Sequence, residues 1–404
     1  MSREMKDSGI PWIGEIPKDW EIKRLKQESV FINGYAFNSD DFKIDEGVKV
    51  IRIGDIGLNV DFDGCVKTIV DTNLLTPFRI KDGDILIAMS GATTGKCCIV
   101  DKAEEAYINQ RVGIIRSDIN KFIYYSLMTP YFMEFVNLHN AGSAQPNISS
   151  KAIGEFPILM MSLPEQQKIA SFLDRKCSEI DEMIALQEQI IEELKAYKQS
   201  VITEAVTKGL NPDVPMKDSG IDWIGQIPEH YICSKLKYYV KIDSGDALSN
   251  EIIRPEGTYP VYGGGEIMGY HSESNTSKDS LVIGRVGARC GCVTMPNTNC
   301  WATDNALVLK TKVKLRFMYY LLIGINLNRL NTSNAQPLIT ATKVKNEHIS
   351  LPPIEEQQAI AEYLDKKCDE IDNLISIKLS KIDSLKEYKK SIIYEYVTGK
   401  REVE

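Results

Sequence analysis

Residues 163–209 read LPEQQKIASFLDRKCSEIDEMIALQEQIIEELKAYKQSVITEAVTKG, and the reading of this stretch decides the fold. It predicts one long helix with marked ends. Ser162 and Glu165 stand three apart, the spacing of a capping box, and Pro164 falls in the first turn, where a missing N–H costs nothing. Gly209 with Asn211-Pro212 supplies the stop. Apolar residues recur at steps of three and four: Ile169, Leu173, Ile180, Met183, Ile190, Leu194, Tyr197 and Val201, with Lys176 and Gln187 as polar interruptions. Roughly 44 helical residues at ~1.5 Å each span ~66 Å. A bar that long with one apolar stripe needs a partner helix.

The partner lies in the same chain. Ile354 to Gly399 repeats the pattern 191 residues on: Glu356-Gln357-Gln358 copies Glu165-Gln166-Gln167, and Ile360, Ala361, Leu364, Asp365, Cys368, Glu370, Ile371 and Asp372 each have a match at that offset. A lone heptad helix reads first as a dimerisation zipper. Two copies in one chain point instead to an intramolecular antiparallel pair that sets the distance between two other parts.

A second repeat precedes each helix. MKDSGIPWIGEIPKDWEIKRLK (Met5–Lys26) returns as MKDSGIDWIGQIPEHYICSKLK (Met216–Lys237), 211 residues later. This leading segment is extended and turn-rich, and Trp12, Ile13 and Ile16 are expected to pack it onto the end of a long helix. The middle regions diverge, yet landmarks align. Ile85–Ala92 matches Ser280–Ala288 as a buried strand running into a glycine turn, and Val112–Arg116 matches Ala306–Lys310 as another strand. Phe122 to Tyr125 matches Phe317 to Tyr320 on a helix, with Tyr124, Tyr125, Tyr319 and Tyr320 expected in the core. Ala144-Gln145-Pro146 matches Ala335-Gln336-Pro337 in a loop, equivalence that suggests architecture. The fold class is therefore α/β (α+β): two globular modules joined by two long antiparallel coiled-coil helices, with a pseudo-two-fold internal repeat. The expected order is leading segment 1–26, module 27–157, helix 158–210, leading segment 211–237, module 238–348 and helix 349–404.

At 404 residues the chain exceeds one ordinary core, and its 43% hydrophobic and 26% charged content is that of a globular protein. No run approaches the ~20 apolar residues that span a bilayer. The start, MSREMKDSGIPW, has no apolar signal region, and nine cysteines are expected as reduced thiols in a cytoplasm. Cys97-Cys98 and Cys290-x-Cys292 lack partners at metal spacing, so no zinc site is expected.

Taken together, the doubled SGIPWIGEIP/SGIDWIGQIP segment, the doubled helix openings (Leu163 to Gln167, Leu351 to Gln358), the paired modules, and Tyr259-Pro-Val-Tyr-Gly-Gly-Gly with Gly269-Tyr270-His271 resemble the DNA-specificity subunit of type I restriction–modification systems. The resemblance covers the whole chain. It implies two target-recognition domains, each reading one half of a gapped site in double-stranded DNA. It also implies docking of two methyltransferase subunits and, in the restricting complex, of restriction/translocase subunits. The helices would act as a ruler for the gap, on the order of one turn of DNA, ~34 Å. The subunit itself would be non-catalytic and carry no cofactor, S-adenosylmethionine and ATP/Mg belonging to the partners.

The residues agree with that absence of chemistry. Gly91-Ala-Thr-Thr-Gly95-Lys96 is one residue short of a P-loop, Cys97 stands where a Mg²⁺-binding hydroxyl belongs, and the counterpart Gly287-Ala-Arg-Cys-Gly291 has no lysine. A shared structural turn is the better reading. Candidate DNA contacts flank these turns: Thr93, Thr94 and Lys96 in the first module, Arg285 and Arg289 in the second. Arg289 is an attractive guanine reader because a guanidinium fork matches O6 and N7; its plain alternative is a surface salt bridge. Asn109 and Arg111, and opposite them Asn305, sit before a strand, where they serve either bases or the turn itself. The first module sums to −5 and the second to +3 within a total of −8. Phosphate neutralisation supplies most non-specific affinity, so the isolated chain is expected to bind DNA weakly and to depend on partners. The alternative of a different class is a coiled-coil adaptor for protein partners, against which the divergence of modules on a constant frame argues.

Overall fold

The computed structural model describes residues 3–43, 46–140, 146–331 and 337–403. Gln145 and Gln336, with Ala144 and Ala335, lie outside the described residues.

Two helices dominate, Leu163–Lys208 and Ile354–Val397. The chain divides into two compact units, Met1–Leu186 with Lys381–Glu404, and Gln187–Ser380, so each unit holds part of each helix. In the first unit Lys389 Nζ donates to both carboxylate oxygens of Asp181, at 2.6 and 2.7 Å, and Lys168 Nζ reaches the Val403 carbonyl at 2.5 Å. Rising numbers on one helix meet falling numbers on the other, so the two run antiparallel. In the second unit the same pair recurs with the helices exchanged: Lys198 Nζ binds both oxygens of Asp372, at 2.6 and 2.8 Å. Each pair is the other displaced by 191 residues.

The seam follows the expected periodicity over part of its length. Ile169, Leu173, Cys177 and Ile180 share a core with Leu385, Ile392, Ile393 and Val397. Ile202, Ala205 and Val206 share one with Ile360, Ala361, Leu364 and Cys368. Burying Leu173 or Leu364 completely contributes ~1.5–3 kcal/mol each. Met183 and Tyr197, expected in the seam, are instead 44% and 57% exposed. A strict heptad frame drifts ~20° per heptad on a straight α-helix, and over this length the buried stripe passes to Ile191 and Ile202.

Glu165 departs from the capping-box expectation. Its carboxylate accepts from Arg3 Nη1 at 2.6 Å and from Trp20 Nε1 at 3.3 Å, tying the leading segment to the helix. Glu356 does the same in the second unit, accepting from Tyr231 Oη at 2.8 Å. The next residue, Gln166 or Gln357, is buried and donates to the carbonyl of Met161 or Pro352, five residues back. The repeated Glu-Gln-Gln is thus a joint. The first leading segment packs where expected: Ile13, Ile16 and Trp20 lie against Ile392, Ile393, Tyr396 and Val397, while Trp12 is only partly buried there.

Each module is a pair of small sheets. In the first unit, strands Val30–Asn33, Val112–Arg116, Ile85–Ala88 and Cys97–Ile99 form an antiparallel sheet in that order. Its counterpart is Val240–Ser244, Ala306–Thr311, Leu281–Gly284 and Val293–Thr294. Beside each, a second sheet contains one parallel pair: Val48–Ile51 with Ala106–Ile108, and Tyr259–Tyr262 with Trp301–Ala302. Strands Glu21–Arg24 and Pro157–Met160 pair where the first module is entered and left, as do Ile232–Lys235 and His348–Leu351 in the second. Tyr125 and Tyr320 are buried but polar in purpose, since their hydroxyls donate to Asp174 and Asp365 of the long helices, at 2.8 and 2.7 Å. Tyr124 and Tyr319 are half-buried beside them.

Candidate nucleic-acid interface

The two glycine turns are the same structure, hydrogen bond for hydrogen bond. Strand Ile85–Ala88 ends with Ala88 opposite Val112, and strand Leu281–Gly284 ends with Gly284 opposite Ala306. Thr94 N–H then donates to Gly91 O at 3.1 Å, Gly95 N–H to Ala88 O at 2.8 Å and Lys96 N–H to Thr93 O at 2.9 Å. In the second unit Cys290 donates to Gly287, Gly291 to Gly284 and Cys292 to Arg289, at 3.0, 2.8 and 3.0 Å. Both turns lie against the start of the neighbouring strand through Met89 N–H to Arg111 O and Arg285 N–H to Asn305 O. The flanking glycines have φ of +76° and +86° in one turn and +77° and +88° in the other, a region closed to most side chains. At Gly291 an added Cβ would also come within 2.6 Å of Asn328 N. The glycines serve the turn, as expected, and the P-loop likeness ends there.

This equivalence sets Thr93 against Arg289, Met89 against Arg285, and Arg111 against Asn305. One backbone presents different side chains at the same places. Thr93, Lys96, Asn109 and Arg111 gather at one end of the first unit's antiparallel sheet; Arg285, Arg289 and Asn305 do so in the second. Lys96, Arg111, Arg289 and Asn305 are exposed. Thr93 is half-buried, with its hydroxyl 3.4 Å from Ile53 O. Asn109 is half-buried, and its Oδ1 accepts from Gln110 N–H at 2.8 Å. Arg285 places Nη1 3.4 Å from Asp304 O, while its Nε is buried without a partner. Arg289 forms an ion pair with Glu266. Thr94 is a correction: it is buried, and its hydroxyl donates to Gly91 O at 2.7 Å, closing the turn from inside rather than facing a ligand.

The family model for the type I restriction modification DNA specificity domain matches residues 17–196 and again residues 228–398. The chain belongs to this family. As a specificity-family chain it is 27% identical over 421 residues to a putative type I restriction enzyme MjaX specificity subunit of Methanocaldococcus jannaschii, covering 96% of this chain and 95% of the relative. It is 24% identical over 426 residues to the type I restriction enzyme EcoBI specificity subunit of Escherichia coli, covering 95% and 87%. A solved structure concerned with complex assembly and conformational transition of the type I R-M system contains a chain of like fold. It aligns with a TM-score of 0.72 over 96% of this chain and 99% of its own, at 16% identity.

Three residues at the same sheet ends escaped the sequence reading: Arg52, Asp55 and Glu266. The signal was present. Val48 to Asp55 and Tyr259 to Glu266 stand at the same 211-residue offset as the leading segments.

Proposed function

We propose that this chain is the non-catalytic, sequence-reading subunit of a type I restriction–modification complex, each module reading one half of a two-part site in double-stranded DNA. The observation that carries this reading is the pair of bond-for-bond equivalent turns bearing Thr93 in one unit and Arg289 in the other. An invariant backbone with changed side chains suits two readers of different sequences. Among the residues proposed to face DNA are Thr93, Lys96, Asn109 and Arg111 in the first module and Arg285, Arg289 and Asn305 in the second. The long helices set the spacer between half-sites and dock two methyltransferase subunits. Supporting that role, Met183 and Leu186 are exposed on one helix, and Leu374 and Ile377, their matches at 191 residues, on the other. S-adenosylmethionine and ATP/Mg act on the partners, restriction/translocase subunits join the restricting complex, and the assembly works in the cytoplasm. Among the described residues no helix is long and apolar enough to cross a membrane.

Sequencing the methylated bases of the host genome with and without this gene tests the reading. A gapped, two-part methylated motif that vanishes on deletion is expected. An unchanged methylome, in a host whose methyltransferase partner is active, overturns it.

A further inference from the structure

The two units share hydrogen bonds beyond the glycine turns. Asn109 N–H donates to Ile51 O at 2.9 Å, and Thr303 N–H donates to Tyr262 O at 2.9 Å. The loops that follow, Arg52–Asp55 and Gly263–Glu266, are therefore counterparts, and Asp55 is the counterpart of Glu266. Each of these carboxylates faces an arginine, but the arginines come from different places. In the second unit Arg289 sits on the glycine turn and pairs with Glu266; the two side chains are 57% and 60% exposed. In the first unit the turn carries Thr93, and the arginine is on the loop itself. Arg52 Nε lies 3.7 Å from Asp55 Oδ2, with 44% of the arginine side chain exposed and 9% of the aspartate.

Both pairs are built into the backbone. Asp55 also accepts from the Arg52 N–H at 2.8 Å, which locks the loop, and Thr93 braces it through Ile53 O. In the second unit the brace is absence of side chains. A Cβ on Gly264 would come within 2.7 Å of Val286 O, and one on Gly265, whose φ is +120°, within 3.2 Å of the Arg289 Cβ. Only glycines let this loop lie close enough for Glu266 to reach the guanidinium.

We infer that Arg52 with Asp55, and Arg289 with Glu266, are the two modules' guanine-reading heads, each an arginine fork steadied by a carboxylate from the equivalent loop position. The inference rests on the DNA-reading role proposed above. Both arginines stand at the sheet end where the candidate contacts gather. An arginine that faces a carboxylate through one nitrogen keeps its other donors, fixed in the guanidinium plane, for O6 and N7 of guanine. The carboxylate also lowers the arginine's attraction for phosphates in general, so the head favours a base edge over the DNA backbone.

The test uses the full chain assembled with its methyltransferase partners. Methyl transfer is measured on duplexes carrying the wild-type motif and every single base-pair replacement in both half-sites. Arg289→Lys keeps the charge and removes the fork. It should lower discrimination at one G·C pair of one half-site roughly 5- to 150-fold, the range for a bidentate contact, and leave the other half-site as in wild type. Arg52→Lys should do the same in the other half-site. Glu266→Gln should relax the same base pair as Arg289→Lys. Unchanged discrimination at all positions, or an even loss across all of them, overturns the inference while leaving the subunit a reader of DNA. A wild-type complex that methylates no two-part motif overturns the proposed function and this inference together.

Discussion

Replacing Asp365 with alanine should loosen the second module from its helix by a predictable amount. Asp365 Oδ1 accepts from Tyr320 Oη at 2.7 Å and from Arg316 Nε at 2.6 Å, and its side chain is 23% exposed. A hydrogen bond to a charged acceptor contributes ~1.5–3 kcal/mol. The ion pair is to a well-exposed arginine and adds under ~1 kcal/mol. Asp365→Ala should therefore cost ~1.5–4 kcal/mol. Tyr320→Phe should cost the lower part of that range, because Asp365 keeps Arg316. The phenol is held neutral by burial first and by Asp365 second, both of which push its pKa up, so the bond persists throughout the neutral range. Denaturant unfolding followed by tryptophan fluorescence is a suitable assay: Trp223 and Trp301 report on the second unit, Trp12 and Trp20 on the first. A double-mutant cycle of Tyr320→Phe with Asp365→Ala should give a coupling of ~1.5–3 kcal/mol. A coupling below ~0.5 kcal/mol would refute the claim that this bond holds the module.

Leu364→Ala removes a fully buried side chain from the second unit's core and should cost ~2–5 kcal/mol, read from the same unfolding curves. Gly291→Ala forces a Cβ at φ +88° against Asn328 N and should destabilise the second unit by more than ~1 kcal/mol, whereas Ala288→Gly, at an exposed position of the same turn, should change little. Burial pushes the Cys97 and Cys98 thiols up to about 12, so above pH ~9 the unfolded chain releases protons that the folded chain keeps. Folding stability should fall with rising pH by ~1.4 kcal/mol per unit per thiol, and the slope should shrink in Cys97→Ala when unfolding at pH 8 and pH 10 is compared. The isolated chain, at net −8, should bind duplex DNA weakly; tight, steeply salt-dependent binding in a titration would contradict the charge argument.

Much of the candidate interface was legible because it is repeated. The paired glycines around Gly91 and Gly287 announce one turn used twice, and both turns stand as read. Thr94 was misjudged because a hydroxyl in a short glycine turn carries no local sign of its direction. Its hydroxyl donates to Gly91 O within the turn, and the Pro146 carbonyl, 52 residues away, covers it at 3.3 Å. Arg52 was missed because an isolated arginine in a loop looks like any surface charge. Its interest appears only when Asp55 and Glu266 are seen to hold equivalent positions.

The amino-acid sequence by itself determined the doubled architecture: two long helices, two leading segments and two modules on one plan. Periodicity and repeat spacing are properties of the order of residues along the chain, so no folded structure is needed to read them. The tertiary structure alone decided which face of each helix is buried, what Glu165 and Glu356 bind, and which carboxylate steadies which arginine. Most of those are contacts between residues far apart in the chain, as Arg3 with Glu165 and Glu266 with Arg289 illustrate. Local propensity specifies a helix and its period; the phase of its buried stripe and the partners of its charges are set only when the rest of the chain packs against it.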